Sequence, residues 1–140
     1  LNGLKNITLK MYDVEAAGNI RIVDGDLNTI MAGLACGEPN ITSWDILKNH
    51  VDCFISAEDI IAARGMRMLS APLKGDAQVI SGESGAAPFG ALATIMLNDE
   101  YSEIRKKLDL NSNSKVLLFS TEGDTDPQRW KNIIWEAKNK

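Results

Sequence analysis

The sequence predicts a three-layer α/β fold with a mostly parallel sheet. Short apolar runs typical of strands alternate along the 140 residues with longer segments of helical periodicity. Two of these runs, Gln78–Ser81 and Lys115–Phe119, each lead into a turn rich in glycine and hydroxyl groups and then into a helix. Ligands bind at the carboxyl ends of the strands in such sheets, so these two turns are the predicted functional positions.

The segment before residue 50 predicts one or two strands, a connection and a helix. Ile7–Val14 alternates apolar and polar residues, which is typical of a strand, and Ile20–Val23 is a candidate second strand. Asn28–Ala35 is apolar and is either a short helix or a buried connection. Thr42 or Ser43 is the expected cap of the helix that follows.

The remaining elements are one more strand and several helices. Asp52–Ser56 predicts a short buried strand, and Ser56 is expected to cap a helix that runs towards Pro72. The apolar face of that helix is expected to hold Ile60, Ala63, Met66 and Leu69. Later helices are predicted from Ser84 to Leu97, over Tyr101–Lys107 and over Pro127–Trp135.

Charge and composition argue against several kinds of partner. The net charge of −4 and the pI of about 5.0, with scattered basic residues, favour neither nucleic acid nor a membrane surface. The longest apolar stretch, Gly85–Leu97, is too short to span a bilayer. Cys36, Cys53 and His50 lack the spacing of a metal site, so no metal is expected. The first residue is leucine rather than methionine, which raises the expectation of a longer parent protein.

The first turn, Ser81–Ala86, combines two glycines, two hydroxyl groups and one carboxylate. Small residues there let the backbone approach a flat ligand or another backbone segment closely. The turn either caps the following helix, with Ser84 as the cap and Gly82 as the hinge, or binds an anion at the helix N-terminus. Capping is the favoured interpretation.

The second turn, Ser120–Asp126, has the sequence STEGDTD and holds three carboxylates and three hydroxyl groups. A metal loop, an anion cradle and a solvated turn are the three interpretations. Its acidic residues lack the spacing of a calcium-binding loop, so they are expected to cap the last helix and face solvent. Ser120 and Thr121 follow the predicted strand directly, where a parallel sheet presents ligand contacts.

Four segments, taken in order, resemble the C-terminal part of the diaminopropionate ammonia-lyases, which are fold-type II pyridoxal-phosphate enzymes. They are Thr29–Asn40 (TIMAGLACGEPN), Ala62–Leu69 (AARGMRML), Ile80–Ala86 (ISGESGA) and Ser120–Asp126 (STEGDTD). The threonine dehydratases and the β subunit of tryptophan synthase are similar at a lower level. The resemblance implies a fold like that of the tryptophan synthase β subunit.

The resemblance also implies a reaction and a cofactor. The reaction would be a pyridoxal 5'-phosphate-dependent α,β-elimination that converts the small amino acid 2,3-diaminopropionate to pyruvate and ammonia, in a cytoplasmic homodimer. Ser120, with Thr121 as the alternative, would face the pyridine nitrogen of the cofactor. Glu83 and the adjoining Ser84 would lie beside the ring, and Gly33 along the cofactor cleft.

A hydroxyl group suits that position chemically. A neutral donor bonds to an unprotonated pyridine nitrogen, whereas a carboxylate would hold the nitrogen protonated. The weaker electron sink that results favours prompt β-elimination over racemisation or transamination.

The Schiff-base lysine and the glycine-rich phosphate loop of the family have no counterpart in this sequence. No lysine lies in a matching motif, and no such loop precedes Thr29. Residues 1–140 are therefore expected to be a single C-terminal fragment, inactive alone and without a catalytic residue. The alternatives are a threonine or serine dehydratase, and a non-catalytic α/β module that binds an anion at the Ser84 turn.

Overall fold

The structure, a computed structural model, describes residues 9–13, 22 and 25–138. Two strands, β1 and β2, span Leu9–Asp13 and Cys53–Ala57. The α-helices are α1 (Ile41–His50), α2 (Asp59–Ser70), α3 (Glu83–Leu97), α4 (Ser102–Lys107) and α5 (Pro127–Ile134). Short 3-10 turns cover Ala32–Leu34 and Asp99–Tyr101.

The sheet among the described residues is two-stranded and antiparallel, with Leu9 of β1 opposite Ala57 of β2. The strand predicted over Ile7–Val14 is confirmed in its described part. The strand predicted over Ile20–Val23 lies outside the described residues except for Ile22, which belongs to no element.

The predicted strands Gln78–Ser81 and Lys115–Phe119 need correction, because neither segment forms a strand in the described structure. A strand exists only through ladder hydrogen bonds to a neighbour. A backbone bond joins the two segments just beyond their ends, where the Gly82 N–H donates to the Glu122 carbonyl at 3.1 Å. Local propensity therefore favours strands at these two segments, but neither has a neighbouring strand to pair with among the described residues.

The core lies between α2 and α3, which pack backbone to backbone. A Cβ added at Gly65 would lie 2.3 Å from the Ala86 carbonyl oxygen, and one added at Gly90 would lie 2.0 Å from the Ile61 carbonyl oxygen. On α2 the buried residues are Ile61, Ala62, Ala63, Gly65 and Met66. The predicted apolar face is therefore right for two of its members, whereas Ile60 and Leu69 are only half-buried.

The helix starts differ from the predicted caps. Asn40 caps α1 by accepting a hydrogen bond from the Ser43 N–H at 2.9 Å, so the cap is neither Thr42 nor Ser43. The structure places the start of α2 at Asp59, so Ser56 is not its cap. The N-cap residue of α2 is Glu58, which makes no side-chain cap hydrogen bond.

Asp59 instead holds the segment before the first 3-10 turn. Its carboxylate accepts hydrogen bonds from the Thr29 hydroxyl and from the Ile30 N–H, the latter at 3.0 Å. The predicted helix or connection over Asn28–Ala35 is thus a 3-10 turn anchored to α2. No helix in the described part of the chain is long and apolar enough to cross a membrane.

Candidate functional site

The two predicted turns meet at a pair of serine side chains. The hydroxyl oxygens of Ser81 and Ser120 lie 2.8 Å apart, close enough for a hydrogen bond. Ser81 is 1% exposed, and its carbonyl accepts a hydrogen bond from the Trp130 indole N–H at 3.2 Å. Trp130 lies on α5, so this helix helps to hold the first turn in place.

Glu122 of the second turn caps α3. Its Oε1 atom accepts hydrogen bonds from the backbone N–H groups of Ser84, at 2.5 Å, and Gly85, at 3.1 Å. Gly82 occupies the N-cap position of α3 and supplies no side-chain bond, so the prediction that Ser84 caps this helix is wrong. The carboxylate takes two of the N–H groups that an anion would need.

The three acids of the second turn therefore have different roles. Asp126 caps α5 as predicted, by accepting a hydrogen bond from the Arg129 N–H at 3.0 Å. Asp124 is exposed. The prediction that Glu122 faces solvent or caps the last helix is wrong, because the first turn of α3 offers it two unpaired donors. No group of three or more potential metal-ligating residues lies together in the described structure.

Glycines let the two turns interlock. A Cβ at Gly82 would lie 2.6 Å from the Gly123 carbonyl oxygen and 2.8 Å from the Glu122 side chain. A Cβ at Gly85 would lie 2.8 Å from the Ser81 hydroxyl and 3.0 Å from the Ser120 hydroxyl. Real Cβ atoms do not approach other atoms this closely, so these two glycines serve the approach of one chain segment to another.

Three of the five predicted cofactor-binding residues lie together at the start of α3. Glu83 is 15% exposed, and its Oε1 lies 3.1 Å from the Arg129 Nε. That atom has no aligned hydrogen bond, so the contact is an ion pair only. The Ser84 hydroxyl is buried without a hydrogen-bond partner. Gly33 lies against it, since a Cβ at Gly33 would be 3.1 Å from the Ser84 hydroxyl.

The structure also separates the two predicted hydroxyls of the second turn. Both residues are exposed, but Ser120 joins the cluster through Ser81, whereas Thr121 makes no side-chain hydrogen bond to it among the described residues. Sequence reasoning missed Ser81, Glu122 and Arg129. The glycine at the N-cap of α3 indicates only that the first N–H groups need an acceptor from elsewhere, and not that Glu122 supplies it.

No family model matches the chain. The chain is 50% identical over 123 residues to the diaminopropionate ammonia-lyase of Salmonella typhimurium, and 46% identical over 129 residues to that of Escherichia coli. The matches cover 87% and 92% of this chain but 30% and 32% of the relatives. The chain thus spans less than a third of the length of these curated relatives and corresponds to their C-terminal part.

Solved structures of the Escherichia coli diaminopropionate ammonia lyase are similar as well. The complex with an aminoacrylate-PLP azomethine reaction intermediate matches with a TM-score of 0.76 and 49% identity, over 79% of this chain and 29% of that one. The complex with D-serine matches with a TM-score of 0.75 and 47% identity, over 83% and 30%. The described chain therefore has an α/β fold similar to one part of these enzymes.

Proposed function

This chain is a relative of the diaminopropionate ammonia-lyases, and we propose that it forms the C-terminal wall of the cofactor site in such a lyase. The complete protein would convert 2,3-diaminopropionate to pyruvate, with one water consumed and two ammonia molecules released. The cofactor would be pyridoxal 5'-phosphate, which supplies an electron sink when the proton on the α-carbon of the substrate is removed. The two Escherichia coli complexes, with an aminoacrylate-PLP intermediate and with D-serine, support this substrate class and cofactor.

The observation that carries the proposal is the convergence of Ser120, Glu83, Ser84 and Gly33 at the start of α3. Two buried oxygen atoms there, Glu83 Oε1 and Ser84 Oγ, lack a hydrogen-bond partner in the described structure. Buried polar atoms are normally satisfied, so the Ser84 hydroxyl is suited to bond to a polar ligand, whereas Glu83 Oε1 already has the Arg129 guanidinium 3.1 Å away. The donor set of neutral hydroxyls with one carboxylate fits the polar edge of a pyridine ring.

The assigned roles follow from these positions. Ser120 would donate a hydrogen bond to the pyridine nitrogen. The Ser81 hydroxyl, 2.8 Å away, can donate a hydrogen bond to the Ser120 oxygen and so orient the Ser120 hydroxyl. Glu83 and Ser84 would lie beside the ring and Gly33 along the cleft. Thr121 is the weaker candidate for the pyridine nitrogen, because Ser120 contacts the cluster through Ser81 and Thr121 has no such bond among the described residues.

The finer fold of the complete protein is part of the same proposal. Leu117 and Phe119 are 77% and 72% exposed, whereas Leu118 between them is half-buried. Val116–Phe119 is a continuous apolar run, which suits a strand covered on both faces. We infer that residues 78–81 and 115–119 join a mostly parallel sheet in a three-layer, fold-type II protein. Residues 1–140 would be a single C-terminal part of a longer protein that forms a cytoplasmic homodimer, and they would be inactive without the family's Schiff-base lysine.

The two alternatives have less support. The relatives named above are diaminopropionate ammonia-lyases rather than threonine or serine dehydratases. A module that binds an anion at the Ser84 turn would need the N–H groups of Ser84 and Gly85, and the Glu122 carboxylate already holds both.

A chimera tests the proposal. In it, this chain replaces the matched C-terminal part of the Escherichia coli lyase, and the 140-residue chain alone serves as the control. The chimera should show the visible absorption of bound pyridoxal phosphate. It should form pyruvate from 2,3-diaminopropionate faster than it forms pyruvate from serine or 2-oxobutanoate from threonine. A soluble chimera that binds the cofactor but prefers threonine, or forms no pyruvate, would contradict the proposal.

A further inference from the structure

Glu122 stands out because its bonds reach across the chain rather than along it. Asp126 caps α5 by bonding to a residue three positions away. The Glu122 carboxylate instead bonds to Ser84 and Gly85, which lie 38 and 37 residues earlier in the sequence. Loss of a local cap frays one helix end. Loss of the Glu122 carboxylate would in addition remove two of the hydrogen bonds that join the second turn to the first.

The backbone of Glu122 strengthens the same junction. Its carbonyl accepts a hydrogen bond from the Gly82 N–H at 3.1 Å, and the Ser120 hydroxyl lies 3.4 Å from that carbonyl. The Glu122 side chain also fills the space that a Cβ at Gly82 would need. Glu122 therefore contacts both the residue before Glu83 and the serine that would face the pyridine nitrogen.

A second ionic contact crosses the junction nearby. Arg129, on the helix that follows the second turn, lies 3.1 Å from Glu83. This contact lacks aligned hydrogen-bond geometry, and Arg129 is exposed. An exposed ion pair contributes little to fixing a geometry. Glu122, half-buried and bonded to two backbone donors, is the stronger constraint.

We infer that Glu122 is a positioning residue for the cofactor site, an inference that rests on the proposed function. It fixes the first turn of α3, with Glu83 and Ser84, relative to the Ser120 hydroxyl. Glu122 does not itself touch the reacting atoms. Its substitution should therefore change how the cofactor is held, and not only how stable the protein is.

Two substitutions in the chimera separate geometry from charge. Glu122→Gln keeps the length of the side chain and an acceptor oxygen, so it should keep the wild-type cofactor absorption and a kcat within about threefold of wild type. Glu122→Ala removes the acceptor. It should shift the visible absorption of the bound cofactor and lower kcat by about tenfold or more, as expected for a loss of orientation.

Matched controls exclude a general loss of stability. Asn40→Ala removes the cap of α1, so it should lower the melting temperature without changing the cofactor absorption. Asp124→Ala removes an exposed charge from the same turn and should leave absorption and kcat unchanged. If Glu122→Ala changes the melting temperature as Asn40→Ala does and leaves the absorption of the wild type, the inference is wrong.

A measurement on the 140-residue chain is independent of cofactor and activity. Hydrogen exchange at the Ser84 and Gly85 amides should be fast in Glu122→Ala and protected in Glu122→Gln and wild type. Equal protection in all three would overturn the inference. If Glu122→Ala does not fold, Glu122→Asp replaces it, and its shorter side chain should perturb the cofactor absorption more than Gln does. The reverse order would also overturn the inference. A wild-type chimera without cofactor absorption would contradict the proposed function instead.

Discussion

The hydroxyl oxygens of Ser81 and Ser120 lie 2.8 Å apart, although 39 residues separate them in the chain. Each hydroxyl carries one proton, so the direction of this bond depends on what else each serine donates to. If Ser120 donates to a pyridine nitrogen, the 2.8 Å contact is a hydrogen bond only when Ser81 donates to Ser120 rather than to the Gly82 carbonyl, 3.2 Å away. The Ser81 carbonyl is fixed by Trp130, which keeps the Ser81 side chain in place for that role.

Ser81→Ala is therefore expected to lower kcat/KM, although Ser120, the donor to the pyridine nitrogen, is still present. A typical intramolecular hydrogen bond contributes about 0.5–1.5 kcal/mol, which corresponds to roughly 2- to 12-fold in kcat/KM. The measurement is steady-state pyruvate formation by the chimera. Ser81→Thr is the control, because it keeps the hydroxyl group and adds one methyl group. Equal kcat/KM for the Ala variant and wild type would contradict the orientation of the bond.

Ser120→Asp tests the neutral donor itself. A carboxylate would hold the pyridine nitrogen protonated and strengthen the electron sink, so ammonia release should slow and side reactions such as racemisation or transamination should increase. The product ratio, measured as pyruvate against transamination and racemisation products, reports this change. Ser120→Thr keeps a neutral hydroxyl and should keep the ratio of the wild type. An unchanged ratio in the Asp variant would rule out this role for Ser120.

Much of the helical part of the structure follows from local sequence signals, whereas the site does not. Pro127 with Asp126 before it predicts the start of α5, and the structure confirms both. Trp130 on that helix is half-buried, and Trp135, directly after its last residue, is exposed. Such features depend on residues within one or two turns of each other, so the sequence contains their cause.

Glu122 and the two unpaired segments show where this reasoning stops. No local pattern indicates that Glu122 caps a helix whose first turn lies 38 residues earlier. The apolar runs at 78–81 and 115–119 have strand propensity, but a strand also needs a neighbour, and its identity is a property of the tertiary structure. The strand-to-helix pattern predicted the two turns that hold Glu83, Ser84 and Ser120 as functional positions, whereas Gly33 was predicted only from the family resemblance.

Gly65 provides a stability test of the α2–α3 contact. A Cβ at this position would lie 2.3 Å from the Ala86 carbonyl oxygen, which belongs to rigid helical backbone. Gly65→Ala should therefore push the helices apart and destabilise the chain by about 1–3 kcal/mol, although alanine favours the helical state by up to about 1 kcal/mol. Gly123→Ala is the control, because no atom lies within 4 Å of its added Cβ. Urea unfolding with a lower midpoint only for Gly65→Ala is the expected result, and equal midpoints would contradict it.

Tyr101 predicts how stability depends on alkaline pH. Burial raises the pKa of its phenol above the usual 10.0, and the negative charges of Glu100 and Glu58 raise the pKa further. A backbone hydrogen bond with Leu9 lowers the pKa, but by less than burial raises it. Because the folded state favours the neutral phenol, this contribution to stability is fully present below pH 10 and is lost as the pH rises through the folded-state pKa. Tyr101→Phe removes the titrating group but leaves the lysines that titrate in the same range. The free energy of unfolding of wild type should therefore fall more steeply above about pH 10 than that of Tyr101→Phe. Chemical unfolding of both proteins between pH 8 and pH 11 measures the two slopes, and parallel slopes would show that Tyr101 ionises as easily in the folded chain as in the unfolded one.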